Sequence, residues 1–247
     1  MTDNIVLFYL MTAFVGLLIG VAKGGLGGLI GTLATPLMTL VMPPDQVVGL
    51  LLPMLMLADV FAVATYWKCW RTRLVLLLLP GGVVGVTIGT FFIKNASTEL
   101  WRNVLAVIVL VFALYKLLEK FILRILTYEG RDWHGLLAGV IAGFSSTLAH
   151  AGGPPVAIYL LLQKVPPIEF NASSVLFFAI LNWVKVPYYA YAKLFDFNRL
   201  VHILWLLPVI PIGVALGRWM TNKIDRVWFE RLIVVLLLVS GLLLLLE

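Results

Sequence analysis

The chain has 247 residues, of which 62% are hydrophobic and 12% charged, and its mean hydropathy is +1.05. Average soluble domains carry roughly 25% charged residues, so too little polar surface is present to coat a water-exposed globule, which excludes a soluble enzyme and a disordered chain. The net charge of +6 comes without the basic stripe and interleaved aromatics of a nucleic-acid binder; no nucleic acid is expected, and loops facing anionic lipid account for the excess.

A bilayer core of about 30 Å takes roughly 20 helical residues to cross. In chain order, apolar runs predict spanning helices at residues 5–21, 47–67, 74–93, 103–118, 133–149, 170–191, 200–217 and 229–246. Asp3 precedes the first run, with no Lys or Arg, so the run lacks the positive start of a cleaved signal peptide and reads as a retained helix. Two runs are shorter. Residues 29–42 and 154–163 follow glycine pairs and end at the proline pairs Pro43-Pro44 and Pro166-Pro167, and at roughly 1.5 Å per residue neither crosses a bilayer. Both are predicted as half-helices. The single cysteine, Cys69, excludes an internal disulfide and a thiolate metal cage.

The shared punctuation points to a duplication. At one constant spacing Gly20 matches Gly143, Ala34 matches Ala157, Asp59 matches Asn182 and Tyr66 matches Tyr189, and the two proline pairs coincide. At a slightly longer spacing Leu78-Leu79-Pro80 matches Leu206-Leu207-Pro208, Gly85 matches Gly213 and Gly89 matches Gly217. Residues 1–126 and 127–247 are therefore read as repeats of five hydrophobic segments each. An odd number sends the second half into the membrane from the opposite side, so the repeats are inverted. The expected fold is an all-α membrane protein, a polytopic helical bundle with short broken or re-entrant helices. When every segment reverses the chain, only Lys94, Arg102, Lys193 and Arg199 fall on one face, and Lys23 and Lys185 stay within or beside apolar segments. The other cations share the opposite face, which the positive-inside rule makes cytoplasmic, with both termini outside.

The first break, residues 20–28, reads GVAKGGLGG, and the second, residues 145–155, reads SSTLAHAGGPP. Glycine permits backbone angles that other residues resist, and Pro154 and Pro155 suit a helix's first turn. Broken backbone at membrane depth needs protein or a watery cavity around it, and the N–H groups starting a short helix suit an anion. The candidate substrate-binding residues are Lys23, Gly24, Gly25, Gly27, Gly28, Ser145, Ser146, Thr147, His150, Gly152, Gly153, Asn182 and Lys185. Each has a plainer reading beside this one. Gly16, Gly20, Gly24 and Gly28 form a small-xxx-small ridge that lets helices approach. Lys23 is either a ligand or a side chain snorkelling to headgroups, and the hydroxyls of Ser145, Ser146 and Thr147 either face a substrate or bond back to their helix. Asp59 and His150 are candidate coupling residues that exchange a proton, and Lys185, one turn after Asn182, is an anion ligand or a structural partner of Asp59. Pro53 and Pro187 could kink their helices.

Other chemistries lack their patterns. No Walker loop or HExxH occurs, and His134, His150 and His202 are too dispersed for a local metal motif, so no cofactor or metal is expected. Ser145 or Ser146 with His150 lacks a GxSxG elbow, so no enzyme is expected. Asn95 and Asn171 begin Asn-Ala-Ser triplets, a pattern common by chance.

The AKGGLGG stretch at Ala22 to Gly28 with Pro36 beyond it, and its degenerate second copy from His150 to Pro155, resemble the sulfite exporter TauE/SafE family of membrane transporters. The resemblance extends through both halves. It implies a secondary transporter in the bacterial inner membrane that exports sulfite, a sulfonate or another small sulfur-containing or carboxylate anion. The implied partners are that anion and membrane lipid, and the reading admits coupling to a proton or sodium gradient and assembly with further copies of the chain. An anion channel using the same site is the alternative.

Overall fold

The computed structural model describes residues 5–26, 31–125, 131–220 and 226–246. Among these the regular structure is all helical, as backbone without water to bond it requires. Helix α1 (Ile5–Val21) runs into a π-helical turn, Ala22–Leu26, and α2 (Ala34–Thr39), α3 (Pro44–Thr65), α4 (Thr72–Asn95) and α5 (Thr98–Ile125) complete the first half. The second half holds α6 (Asp132–Ala149), α7 (Gly153–Leu162), α8 (Pro167–Tyr191), α9 (Phe197–Ile203), α10 (Val209–Met220) and α11 (Arg226–Leu246).

Among the described residues, α1 with its turn, α3, α4, α5 and α8 are long and apolar enough to cross a membrane. The span expected at residues 200–217 is instead the pair α9 and α10, bent by 52°. Pro208 and Pro211 explain the break, since each removes a backbone donor and crowds the preceding turn. Pro53, Pro80 and Pro187 stay inside unbroken helices. Helix α6 covers the whole run expected at residues 133–149, and α11 contributes the apolar stretch Val234–Leu244. Of the half-helix expected at residues 29–42, residues 31–32 are helical, residue 33 forms a turn, and α2 carries the helix on to Thr39, with Pro36 in its first turn. Helix α7 matches the second predicted half-helix, with proline in its first turn.

The helices pair across the middle of the chain: α1 packs on α10, α4 on α6, α3 on α8, and α5 on α11. Glycine sets the first two contacts. A Cβ on Gly20 would stand 2.3 Å from the Ile210 carbonyl oxygen, and one on Gly213 would stand 2.6 Å from that of Leu17. In the other pair, a Cβ on Gly85 would lie 2.1 Å from the Val140 oxygen and one on Gly143 2.2 Å from that of Gly82. Backbone meets backbone there, which is how helices without a hydrophobic driving force gain contact.

Gly20→Ala and Gly143→Ala are each expected to lower stability by about 1–3 kcal/mol, the usual cost of overpacking. Gly31→Ala, with nothing within 4 Å of the added carbon, should leave it unchanged. Thermal melts of the three variants in one detergent decide the matter.

Candidate functional site

The scarce polar side chains converge where α1 and α6 end. At the first break Gly25 adopts φ 142°, a region that a Cβ strongly disfavours. Just before it, the π turn sends Lys23 toward α3, where its ammonium forms an ion pair with Asp59 Oδ1. Asn182 on α8 donates from Nδ2 to the other oxygen, Asp59 Oδ2, at 2.6 Å. The Lys23 nitrogen also lies 5.7 Å from the centre of the Phe178 ring, within cation–π range. Asp59 and Asn182 are each 3% exposed, so the carboxylate is buried and both of its oxygens are engaged.

At the second break α6 closes on His150, whose backbone is left-handed at φ 51° and ψ 27°. The sequence leads one to expect a glycine in that role, yet Gly152 remains helical at φ −81° and ψ −2°. A non-glycine residue held there costs on the order of 1–3 kcal/mol, and histidine is among the residues that tolerate it best. The ring is bonded on both sides. Nε2 lies 3.0 Å from the Val48 carbonyl oxygen, and Nδ1 lies 3.3 Å from Lys185 Nζ. A carbonyl only accepts, so Nε2 carries the hydrogen and Nδ1 receives one from the ammonium. Lys185 also donates to the Ser146 carbonyl oxygen at 3.3 Å and to Ser146 Oγ at 3.0 Å. Its three N–H donors thus meet three neutral acceptors. Lys185 is 0% exposed, and among the described residues no carboxylate lies within ion-pair distance of it. The structural Asp59–Lys185 bond, the plainer alternative for Lys185, is not formed: Asp59 pairs with Lys23, while Lys185 turns to the end of α6.

Residues 12–244 match the family model described as sulfite exporter TauE/SafE. The chain belongs to the TauE/SafE family. It is a family of membrane transporters and not of enzymes. The chain is similar to the probable sulfite/organosulfonate exporter TauE of Cupriavidus necator, 26% identical over 141 residues, which is 57% of this chain and 54% of the relative. The match therefore spans about half the length of that protein. No solved structure matches the chain.

This TauE/SafE member divides the remaining candidates by what they touch. The hydroxyls of Ser145 and Thr147 bond back to the carbonyls of Ile141 at 2.7 Å and Gly143 at 2.8 Å, so of the Ser-Ser-Thr run Ser146 is the one turned to Lys185. Gly24 belongs to the α1–α10 contact, since a Cβ there would stand 2.3 Å from the Val214 oxygen. Gly152 is packed beneath Phe178 and Ser146, with room for no Cβ, and Gly153 opens α7. Gly27 and Gly28 lie outside the described residues. Two further buried side chains were not singled out as ligands by the sequence. Tyr189 donates to the Thr147 oxygen at 2.7 Å and Thr35 to the Ala149 oxygen at 2.6 Å, satisfying carbonyls that the end of α6 leaves without helical partners. Their signals were slight: a Tyr–Tyr repeat match, and a hydroxyl beside Pro36. Among the described residues no group of His, Cys, Asp and Glu could hold a metal ion.

Lys23→Met leaves the Asp59 carboxylate buried without its cation, and the expected loss is on the order of 3–5 kcal/mol. Adding Asp59→Asn should restore most of it. Chemical or thermal unfolding of both single variants and the double variant measures the coupling; additive losses would contradict the assignment.

Proposed function

We propose that the chain is a secondary transporter for a small anion, sulfite, a sulfonate or a related carboxylate, working by alternating access between two inverted repeats, residues 1–126 and 127–247. The observation that carries this reading is Lys185, a fully buried ammonium whose partners are all neutral. A membrane interior tolerates such a charge where it serves a solute, and an anion supplies the missing countercharge. The curated relative's name, a sulfite/organosulfonate exporter, agrees with that charge and supports the solute class and an outward direction. His150 and Ser146 are the groups bonded to Lys185, with Lys23, Asp59 and Asn182 forming a second cluster and the glycine-led start of α7 proposed as a further anion contact.

The helix pairing supports the repeat. Exchanging the halves turns the α1–α10 contact into the α6–α4 contact, while α3–α8 and α5–α11 exchange partner for partner. Asp59 is bonded to its own repeat equivalent, Asn182. In architectures of this kind the solute binds where broken helices meet, and one half rocks against the other. Placement in the cell membrane with the basic loops inside follows from the distribution of Lys and Arg.

Purified protein in liposomes, offered sulfite, methanesulfonate and small carboxylates, tests the proposal. Saturable flux that an imposed ion gradient drives uphill is expected, whereas flux that never saturates would make the protein a channel. Lys185→Met should lower transport by about tenfold or more, the worth of one charged hydrogen bond, while the protein stays monodisperse. If none of these anions is transported or stabilises the protein, the reading fails. Full proton-driven transport by Asp59→Asn would remove Asp59 from any coupling role.

A further inference from the structure

The sequence places few cations on the face where α4 and α8 end, and two of them share one feature. A cavity of about 270 Å³ opens there, lined by Lys94, Lys193, Asp45, Thr98, Trp101 and Leu194 among others. Two lysines and one aspartate are in its lining, and neither lysine forms an ion pair among the described residues. Lys94 is held with its nitrogen 3.9 Å from the centre of the Tyr191 ring. Lys193 sits in a left-handed backbone at φ 58°, an uncommon conformation for a residue with a Cβ. Thr98 begins α5, a helix of 28 residues, in which Ser97 takes the N–H groups of Leu100 and Trp101 and those of Thr98 and Glu99 have no helical acceptor. The neighbouring Arg199 is differently occupied, by Asp196 at 3.1 Å and by Gln46.

The floor of this cavity is also the roof of the buried site. Trp101 is 3% exposed and donates from Nε1 to the Leu148 oxygen at 3.3 Å. Leu194 presses its carbonyl on Gly49, where a Cβ would stand 1.9 Å from the oxygen. Trp101 and Leu194 belong to one apolar cluster with Val48, Leu148 and Tyr189. On the far side of that cluster the Val48 carbonyl holds His150, and the Tyr189 and His150 rings lie 6.2 Å apart. The apolar cluster thus reaches from the cavity lining, through Trp101 and Leu194, to Val48 and Tyr189 beside His150.

We propose that the cavity lined by Lys94, Lys193 and Thr98 is a second anion site, an outer vestibule for a small oxyanion, with the Trp101–Leu194 layer as the closed gate between it and Lys185. This rests on the transport reading for its purpose, though its own chemistry is independent of Lys185. The volume and the paired ammonium groups suit a small hydrated oxyanion, which a free sulfonate or the phosphate of a lipid headgroup would equally supply.

The test uses a Thr98→Cys variant on a Cys69→Ser background, reconstituted in vesicles of phosphatidylcholine alone and in vesicles containing an anionic lipid, and labelled with a charged maleimide. Methanesulfonate, which does not attack thiols, is the probe. It is expected to slow labelling several-fold in phosphatidylcholine vesicles, to do so equally when Lys185→Met has removed transport, and to lose the effect when Lys94→Gln and Lys193→Gln are added. Both lysines are exposed, so these changes should leave folding intact. Labelling that ignores methanesulfonate overturns the proposal, as does protection that the double lysine change fails to abolish. If protection comes from anionic lipid and not from methanesulfonate, the lysines hold a headgroup and the vestibule is also overturned. A Thr98→Cys protein with all three lysines intact that shows protection, while the wild-type protein transports nothing, would instead count against the transport reading alone. For the gate, Trp101→Ala should let the same reagent reach a Ser146→Cys thiol on the Cys69→Ser background that the intact layer shields; equal labelling with and without Trp101 refutes it.

Discussion

An ammonium inside an apolar bundle has to be met by acceptors of its own chain, and this molecule answers two, the part-buried Lys23 and the fully buried Lys185, in different ways. Lys23 receives a carboxylate, Asp59; Lys185 receives a carbonyl, a hydroxyl and an imidazole nitrogen. The hydrogen-bonding valence of Lys185 is filled while its charge is not balanced. The local backbone follows from these demands. The π turn brings Lys23 to α3, and the left-handed His150 turns its ring so that one nitrogen meets Val48 and the other meets Lys185. At an effective dielectric constant of about 20, a unit anion about 4 Å from an ammonium gains roughly 4 kcal/mol. A site whose hydrogen bonds are already satisfied can hold that charge ready without collapsing around it.

Asp59 has a second consequence, because its two oxygens are bonded to opposite halves of the chain. Lys23 binds one oxygen from the first half, and Asn182 binds the other from the second. A relative movement of the halves has to stretch or break a bond at this carboxylate. The glycine contacts act in the other direction: at Gly20 and Gly213, and at Gly85 and Gly143, backbones touch so closely that each pair moves as a unit. Since α1 with α10 and α4 with α6 each join one element from either half, the body that moves need not coincide with a half of the sequence. In the proposed alternating access, the Asp59–Asn182 bond is the contact that a movement of one half against the other has to break, and the close glycine contacts resist separation of their helices.

Much of this was legible in the sequence because lipid simplifies the code. Apolar runs located α1, α3, α4 and α8 to within a few residues and α5 less closely, because its polar ends extend past the apolar run; the proline pairs, read as the ends of the half-helices, also open α3 and α8. Asp59, Asn182, Lys23 and Lys185 stood out as polar residues that an apolar environment has to justify. What remained hidden depended on three-dimensional direction. Pro80 and Pro208 look alike in the sequence, yet α4 continues through its proline and the chain bends at the other, where Pro211 adds a second missing donor. The partner of Asp59 was not legible either. A spacing of one turn places Lys185 near Asn182 along α8, but it does not reveal that three acceptors at the end of α6 claim the ammonium first. Likewise the glycines around His150 advertised the break, while the residue that makes the turn is the histidine, because its ring is fixed at both nitrogens.

The charge at Lys185 also bears on direction. A cell interior is electrically negative, so an anion that leaves it gains about 2.3 kcal/mol per charge for each 100 mV. Outward movement of a sulfonate or sulfite along that field needs no second ion. A proton travelling with the anion would cancel one charge and forfeit that gain, whereas inward movement would require such a partner. Asp59 is already committed to Lys23 and Asn182, so using it as a proton carrier would first require both bonds to open. In the proposed cycle the empty, positively charged Lys185 site returns with the field once the anion is released, because the potential that drives an anion outward draws a cation inward, and the barrier to that step is desolvation of the unliganded charge. The three neutral acceptors lower that barrier by keeping the charge solvated within the protein at every stage.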